Sequence, residues 1–331
     1  MTDLITGGSG FIGRHLVQAL AAQGGSVRVL DIDTAGPWPD GVAVVQGSIT
    51  DAASVARAMT GIKRVFHLAA IPDLWIADAR RYQEVNVGGT RTVLDAAIRA
   101  GVDRFVHCSS EVVFADPRGQ RRETSIDERL DLPEGAMAGP YCASKWRAER
   151  LVRAAAADGF SAIIVNPAAP LGPGDRNMTP PTRLVADVLH GRLPAYLETL
   201  LNFVDVRDAA AGHILAAEKG EPGQRYILNG ESLWLSALLT KISLLEPIRP
   251  PRTRIPYALA RTAAQIEEGA IARLTGKSPQ AMITGVKLAR RPIRFVADKA
   301  RTELGFQPRP FRETLEDAVA WLKATTEAGP Q

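Results

Sequence analysis

Cysteine is nearly absent. The 331 residues contain two, Cys108 and Cys142, too few for a disulfide framework and in keeping with a reducing compartment. No run of about 18 consecutive apolar residues occurs, which excludes a membrane-spanning helix. The opening Met1-Thr2-Asp3-Leu4-Ile5 has neither the basic nor the long apolar segment of a signal peptide, so the cytoplasm is the expected location. A dominant charge is also lacking. The 40 Lys+Arg face 36 Asp+Glu, a net +4, which does not argue for a nucleic-acid partner. His15, His67, His107, His190 and His213 show no metal-ligand spacing, so no metal is implied. Internal repeats and low-complexity tracts are missing too. What remains, 46% hydrophobic and 23% charged residues, is the composition of a folded protein, and the length allows one large domain or two smaller ones.

One local imbalance stands out. From Arg249 to Arg301, twelve Lys/Arg are opposed only by Glu267, Glu268 and Asp298. This stretch reads either as a solvated basic face or as an attraction to an anionic substrate or a peripheral membrane surface.

Short β-branched runs alternate with helical patterns through the first half. Leu4–Thr6, Val27–Leu30, Val42–Gln46, Val65–Leu68, Phe105–Cys108 and Ile163–Val165 read as buried strands. Phe11–Gln23, Asp51–Met59, Tyr82–Ala100 and Tyr141–Asp158 carry apolar residues at helical spacing, and Gly101 and Gly159 follow the last two as C-caps would. This rhythm predicts an α/β fold, a doubly wound parallel sheet with helices on both faces. After Pro167 the rhythm changes. Pro170, Pro173, Pro180 and Pro181 break up the chain before a helix at Thr182–His190. Phe203–Val206, a helix through Ala217, and Tyr226–Leu228 read as a return to the first unit, followed by helices at Tyr257–Leu274 and Phe311–Ala324.

Thr6-Gly7-Gly8-Ser9-Gly10-Phe11-Ile12-Gly13 follows the first strand and opens the first helix. Gly7 suits a tight turn, Gly10 lets the backbone approach a pyrophosphate, and Gly13 permits close packing of helix on sheet. The helix N-terminus offers free N–H groups and partial positive charge to phosphates. Asp31, ending the second strand, is placed to accept both hydrogen bonds of an adenosine ribose diol and to repel a 2′-phosphate, which points to NAD rather than NADP. Arg14 lies in the helix and reads as facing solvent. The expected division is a dinucleotide-binding Rossmann unit, 1–166 and 203–229, with a smaller interleaved substrate unit, 167–202 and 230–331.

Ser109-Ser110 ends the fifth strand, and Tyr141-Cys142-Ala143-Ser144-Lys145 lies in the helix after it. Tyr and Lys at i and i+4 share one helix face. The ammonium is expected to stabilise the phenolate and lower the tyrosine pKa, making it a general base for a hydroxyl near neutral pH. A serine at the strand end is placed to bond the same substrate oxygen.

Taken together, Thr6–Gly13, Asp31, His67-Leu68-Ala69-Ala70, Asn86-Val87-Gly88-Gly89-Thr90, Ser109-Ser110, Tyr141–Lys145, Phe203–Gly212 and Lys299–Pro308 resemble the extended short-chain dehydrogenase/reductase family over essentially the whole chain. Within it, the sequence is most similar to 3β-hydroxysteroid dehydrogenase and dihydroflavonol reductase-like enzymes. It is also similar to a bacterial group of hopanoid-associated sugar epimerases, through Trp75, Asn166–Asp175 and Gly191–Ala195. The resemblance implies that Ser110, Tyr141 and Lys145 are catalytic, with Lys145 also holding the nicotinamide ribose. It implies cofactor contacts from Gly7, Gly10, Phe11, Ile12, Gly13, Asp31, Ser48, Ile49, Leu68, Ala69, Ala70, Asn86 and Pro167, besides Tyr141 and Lys145. Substrate contacts are expected from Trp75, Glu111, Ala168 and Leu201. The family's usual homodimer is built from two helices per subunit, here Tyr82–Ala100 and Tyr141–Asp158.

Three departures bear on substrate. Gly47-Ser48 stands where Gly-Asp is usual, and Val113-Phe114-Ala115 where Val-Tyr-Gly is common. Leu201-Asn202 replaces the Arg-Asp whose arginine clamps the diphosphate in nucleotide-sugar epimerases, with Arg176, Arg183 or Arg254 as conceivable substitutes. Ala168, Ala169, Pro170, Leu171, Leu200 and Leu201, with Tyr257, Ala258, Leu259, Ala263 and Ile266, are expected to wall an apolar pocket. The favoured reading is an NAD-dependent dehydrogenase or reductase of a secondary alcohol or ketone on a largely apolar small molecule. The alternatives are a nucleotide-sugar epimerase that keeps its NAD bound, and a non-catalytic NAD-sensing module, against which the intact Ser110, Tyr141 and Lys145 argue.

Overall fold

The β-branched and aliphatic runs of the first half form the strands of a parallel sheet, and Pro- or Gly-marked turns deliver the chain to helices on either face. The structure, a computed structural model, describes residues 2–118, 122–272, 279 and 281–327. Its first elements are β1 (Thr2–Thr6), α1 (Phe11–Ala22), β2 (Ser26–Asp31), β3 (Ala43–Gln46), α2 (Ala52–Met59) and β4 (Arg64–His67). They are followed by α3 (Thr90–Arg99), β5 (Arg104–Cys108), β6 (Thr124–Ile126), α4 (Pro140–Ala157), β7 (Ala162–Pro167) and β8 (Ala169–Leu171). The second half adds α5 (Pro180–Leu189), β9 (Leu200–Asp205), α6 (Val206–Lys219), β10 (Arg225–Leu228), β11 (Glu231–Trp234) and α7 (Leu235–Leu245). It closes with α8 (Tyr257–Ile266), α9 (Ile283–Leu288), β12 (Ile293–Phe295) and α10 (Phe311–Glu327).

Among the described residues, seven strands form one sheet in the order β10-β7-β5-β4-β1-β2-β3, all neighbours parallel. Strand order reverses between β1 and β4, and a crevice at the carboxyl ends of such strands is where ligands bind in this architecture. Both faces are covered. Leu16, Val17 and Leu20 of α1 join Ala209, Ala210 and Ile214 of α6 on one face, while Val55, Val93, Leu94 and Val152 pack on the other. Fully buried strand residues such as Ile5, Val29 and Phe66 each contribute about 1.5–3 kcal/mol by leaving water.

The remaining strands form two small sheets. One has the order β11-β9-β8, and β12 pairs with β6 in the other. The segment Phe203–Val206, read as part of the return to the first unit, therefore starts elsewhere: β9 pairs with β8 and β11, and α6 and β10 make the return. Asn202 ties this small sheet to β12, donating to the Ile293 carbonyl at 2.8 Å and accepting from the Phe295 N–H at 3.2 Å.

Several helix boundaries differ from the sequence expectation for identifiable reasons. Pro180 and Pro181 start α5 rather than precede it, because proline in the first helical turn gives up no intrahelical bond. Tyr82–Ala100 is not one α-helix: Tyr82–Gly89 is π-helical and leads into α3. At its end, the missing side chain of Gly89 makes room for Ile49, whose Cδ1 would lie 2.4 Å from an added Cβ. The helix expected at Tyr257–Leu274 runs as α8 and then a π-helical turn, Glu267–Ile271, while Leu274 lies outside the described residues. No helix among the described residues is long and apolar enough to cross a membrane.

Candidate active site

A single continuous cavity of ≈ 870 Å³ opens at the carboxyl ends of β1, β2, β4, β5 and β7. Its first half is built by the glycine turn. Gly7 has φ +75°, a conformation that costs other residues strain, and a Cβ there would meet the Ala69 nitrogen at 2.6 Å. A Cβ on Gly13 would stand 2.1 Å from the Gly7 carbonyl oxygen, so only glycine lets the turn close against α1. No side chain caps α1, and the N–H groups of its first turn remain available at the cavity wall.

Asp31 is held at the end of β2 by two backbone donors. The Ser9 N–H reaches Oδ2 at 2.9 Å and the Asp33 N–H reaches Oδ1 at 3.2 Å. Arg14, expected to face solvent, is bound into the adjacent loop instead. It donates to the carbonyls of Ser9 (3.0 Å) and Ala35 (2.7 Å) and lies 5.2 Å from the Trp38 ring centroid. On the far side of Asp31, the Ser48 hydroxyl meets the Thr50 hydroxyl at 2.8 Å and accepts from the Thr50 N–H at 3.1 Å. These features fit an adenine dinucleotide: a backbone-only phosphate cradle, a fixed carboxylate for a diol, and a polar edge beyond it.

The second half of the cavity is reached past β5 and α4. Ser110, Glu111, Tyr141 and Lys145 share the wall with Pro167 and Ala168. The Lys145 ammonium is buried and donates to the Cys108 carbonyl at 2.6 Å. The Ser110 hydroxyl donates to Glu111 Oε2 at 3.1 Å and accepts from the Val112 N–H at 3.4 Å, and it lies close enough to the Tyr141 phenol to act on its pKa. Ser109 faces the other way. Its hydroxyl donates to Glu149 Oε2 at 2.6 Å, in a buried network with Asn166 (2.8 Å) and Arg225 (3.3 Å). This network anchors the end of β5 to β7 and β10, and removing one partner of such a buried pair costs about 3–5 kcal/mol.

The expected lowering of the Tyr141 pKa does not hold in this structure. Burial, and then the neighbouring Glu111, push the phenol well above its ordinary value, and the Ser110 hydroxyl only partly opposes them. Lys145 points to a carbonyl, and burial lowers its own pKa. Burial likewise pushes Glu111 up to about 7.

Two assigned residues, Asn86 and Trp75, do not line the cavity. Asn86 is buried and clamps the loop after β4, accepting from the Ile71 N–H at 2.7 Å and donating to the Ile71 carbonyl at 3.1 Å and the Ser144 hydroxyl at 2.9 Å. Its amide is spent on holding Ile71 and α4 rather than exposed to a ligand. From the same loop Leu74 lines the cavity and Trp75 does not. The other assigned cofactor and substrate residues all line it. The wall expected from Tyr257, Ala258, Leu259, Ala263 and Ile266 is supplied by α9 through Gly285, Leu288 and Ala289. The buried stripe of α8 is Ala260 and Ala264, too small to reach the cavity, while Leu259 and Ile266 are each 56% exposed.

Sequence reasoning missed Arg291. It lines the cavity, and its buried Nε has no hydrogen-bond partner among the described residues. None of the three arginines offered as substitute clamps lines the cavity. Arg254 pairs with Glu198, and Arg183 donates to the Met178 carbonyl at 3.2 Å. The signal for Arg291 was only the basic stretch to which it belongs, since nothing local separates an inward arginine from its outward neighbours.

Residues 4–228 match the family described as the NAD dependent epimerase/dehydratase family. A Synechocystis sp. protein bearing the provisional name dihydroflavonol 4-reductase is 36% identical over 329 residues, covering 96% of this chain and 94% of its own. Sterol demethylase protein B of Methylococcus capsulatus is 33% identical over 330 residues, covering 98% of each. The crystal structure of gox2253 superposes with a TM-score of 0.83 at 34% identity, over 98% of both chains.

Proposed function

The chain belongs to the NAD dependent epimerase/dehydratase family, and from that premise we propose that it interconverts a secondary alcohol and a ketone on a flat, largely apolar small molecule. It is an NAD-dependent oxidoreductase of the extended short-chain type, and the open step is the substrate. One observation carries our reading. The cavity beyond Tyr141 is walled by Ala168, Pro170, Leu184, Leu200, Leu201, Leu288 and Ile293, and the family resemblance sets Leu201 where nucleotide-sugar epimerases carry a diphosphate-clamping arginine. Covering apolar surface there is worth about 25 cal/mol per Å², whereas a diphosphate would give up its water for few cationic partners, Arg81 and Arg291 being the arginines that line the cavity. The names of the two relatives above refer to a flavonol and a sterol, both polycyclic, which supports the same choice.

In this reading the first turn of α1 binds the pyrophosphate, Asp31 the adenosine ribose, and Ser48 and Ile49 flank the adenine. When bound, NAD supplies the hydride acceptor or donor. Ser110 holds the substrate oxygen by a hydrogen bond. Tyr141 moves the proton at that oxygen, and Lys145 keeps positive charge beneath it. A phenol pushed above its ordinary pKa is protonated at neutral pH, so the resting site is set to donate a proton, as ketone reduction requires.

The second reading, a nucleotide-sugar epimerase, is favoured by Arg291, an unpaired guanidinium nitrogen in the cavity wall. Calorimetry and NADH absorbance with hydroxysteroids, flavanols, UDP-glucose and UDP-galactose separate the two. We expect an apolar alcohol or ketone to bind and to change net NADH. Micromolar binding of a nucleotide sugar, with no response to any apolar compound, would overturn the first reading and promote the second.

Cofactor choice is a further expected result. NADH should bind more tightly than NADPH, because the Asp31 carboxylate is fixed where a 2′-phosphate would meet it. Asp31→Ser should weaken NADH about 10–100-fold, the worth of about 1.5–3 kcal/mol for hydrogen bonds to a charged group. Fluorescence titration of both cofactors checks this. Tighter NADPH binding by the unaltered protein would refute the role of Asp31.

A further inference from the structure

Glu111 has no task in the chemistry above. It opens the turn Glu111–Phe114 directly after Ser110, packs under α4, and lines the cavity. Ser110 thereby stands between a carboxyl group, 3.1 Å from its hydroxyl, and the Tyr141 phenol. A hydroxyl has one proton to donate. While that proton is given to Glu111, it is not available to a substrate oxygen.

We propose that Glu111 is a positioning residue that sets the direction of the Ser110 hydrogen bond. When its carboxyl is protonated, Glu111 donates to Ser110 Oγ, and Ser110 turns its own proton to the carbonyl oxygen of a ketone. When its carboxylate is ionised, Glu111 accepts the Ser110 hydrogen bond, and the carbonyl oxygen is left with Tyr141 as its proton-bearing partner. Ketone reduction therefore uses the protonated form. This inference rests on the alcohol–ketone reading of the site.

The surroundings suit such a switch. Burial raises Glu111 to about 7, opposed by its own N–H and by the Ser110 hydroxyl. The titratable groups facing it are Cys108 at the end of β5 and Tyr141 and Cys142 on α4. Burial pushes Cys108 up to about 11, Cys142 up to about 12 and Tyr141 higher still, so all three stay protonated while Glu111 titrates. Lys145 and Arg291 line the same cavity, and neither donates a hydrogen bond to Glu111 among the described residues. Glu149 is taken up by Ser109, Asn166 and Arg225.

The test uses the full-length protein with NAD added and glutamate labelled with carbon-13 at Cδ. One resonance should titrate near 7, be missing in E111Q, and move to higher pH in S110A, because the Ser110 hydrogen bond favours the ionised carboxylate. With NADH supplied and the best ketone of the substrate panel, reduction by the wild type should fall above the titration point to the lower rate that Tyr141 supports alone, and E111Q should flatten that limb. A Glu111 midpoint in the ordinary carboxylate range, a midpoint unmoved in S110A, or an unchanged limb in E111Q overturns the proposal. The titration needs no substrate, so an unreactive panel would count against the alcohol–ketone reading and leave the Glu111–Ser110 coupling separately measurable.

Discussion

Replacing Tyr141 with phenylalanine is expected to lower turnover by about 10²–10⁴-fold, the usual contribution of a positioned acid–base group, with NAD affinity nearly unchanged. The substitution removes one oxygen from a ring that is 8% exposed and packed 6.1 Å from the Tyr82 ring, so the wall of the cavity keeps its shape. What is lost is the proton at the substrate oxygen. Steady-state rates on the preferred substrate, beside a fluorescence titration with NAD, provide the measurement. Retention of more than about a tenth of the activity would remove Tyr141 from the proton-transfer role. A parallel loss of NAD affinity would show that the ring's other contacts, not its oxygen, were responsible.

The second large effect belongs to the phosphate cradle. Gly13→Ala would place a methyl group 2.1 Å from the Gly7 carbonyl oxygen and 2.9 Å from the Gly8 Cα, both backbone atoms that move only if the turn opens. NAD binding should then fall by about 100-fold or more, at least 2.8 kcal/mol. Misfolding would give the same result, so Gly10→Ala serves as the companion. At that position the added Cβ would meet only the Gly7 oxygen, at 3.2 Å, a tight contact that a shift of a few tenths of an ångström relieves. Gly10→Ala should fold with unchanged circular dichroism yet bind NAD about tenfold more weakly. Full NAD affinity in both variants would show that the cradle does not receive the pyrophosphate.

Most of the sheet was legible because parallel strands buried on both faces must be continuously apolar, and runs such as Val27–Leu30 and Ile163–Val165 have few other uses. The glycine turn was legible because a turn closed tightly against α1 and the loop after β4 leaves a pattern of missing side chains. The interleaved half was less so. The segment Phe203–Val206 has the composition of a sheet strand, and composition does not record which sheet it joins. The tail misled in a similar way. An alanine-rich helical stripe at Tyr257–Ile266 suggested a pocket wall, but the small residues mark where α8 packs on α9, and α9 reaches the cavity.

Sequence alone located the strand–turn–helix glycine turn, the acid at the end of β2, and Ser110, Tyr141 and Lys145, all of which the structure brings to one cavity. Each belongs to a local pattern that spacing along the chain makes visible. Tertiary structure decided the rest, because it depends on groups brought together from distant segments. It set Asn86 outside the cavity lining as a clamp on Ile71 and turned Ser109 to Glu149. It also brought Arg291 to the cavity wall from 181 positions beyond Ser110 (291 − 110). Above all, it reversed the expected influence on Tyr141. Helical spacing puts Lys145 one turn away, but burial and the Glu111 carboxyl weigh more on the phenol than an ammonium already bonded to a backbone carbonyl.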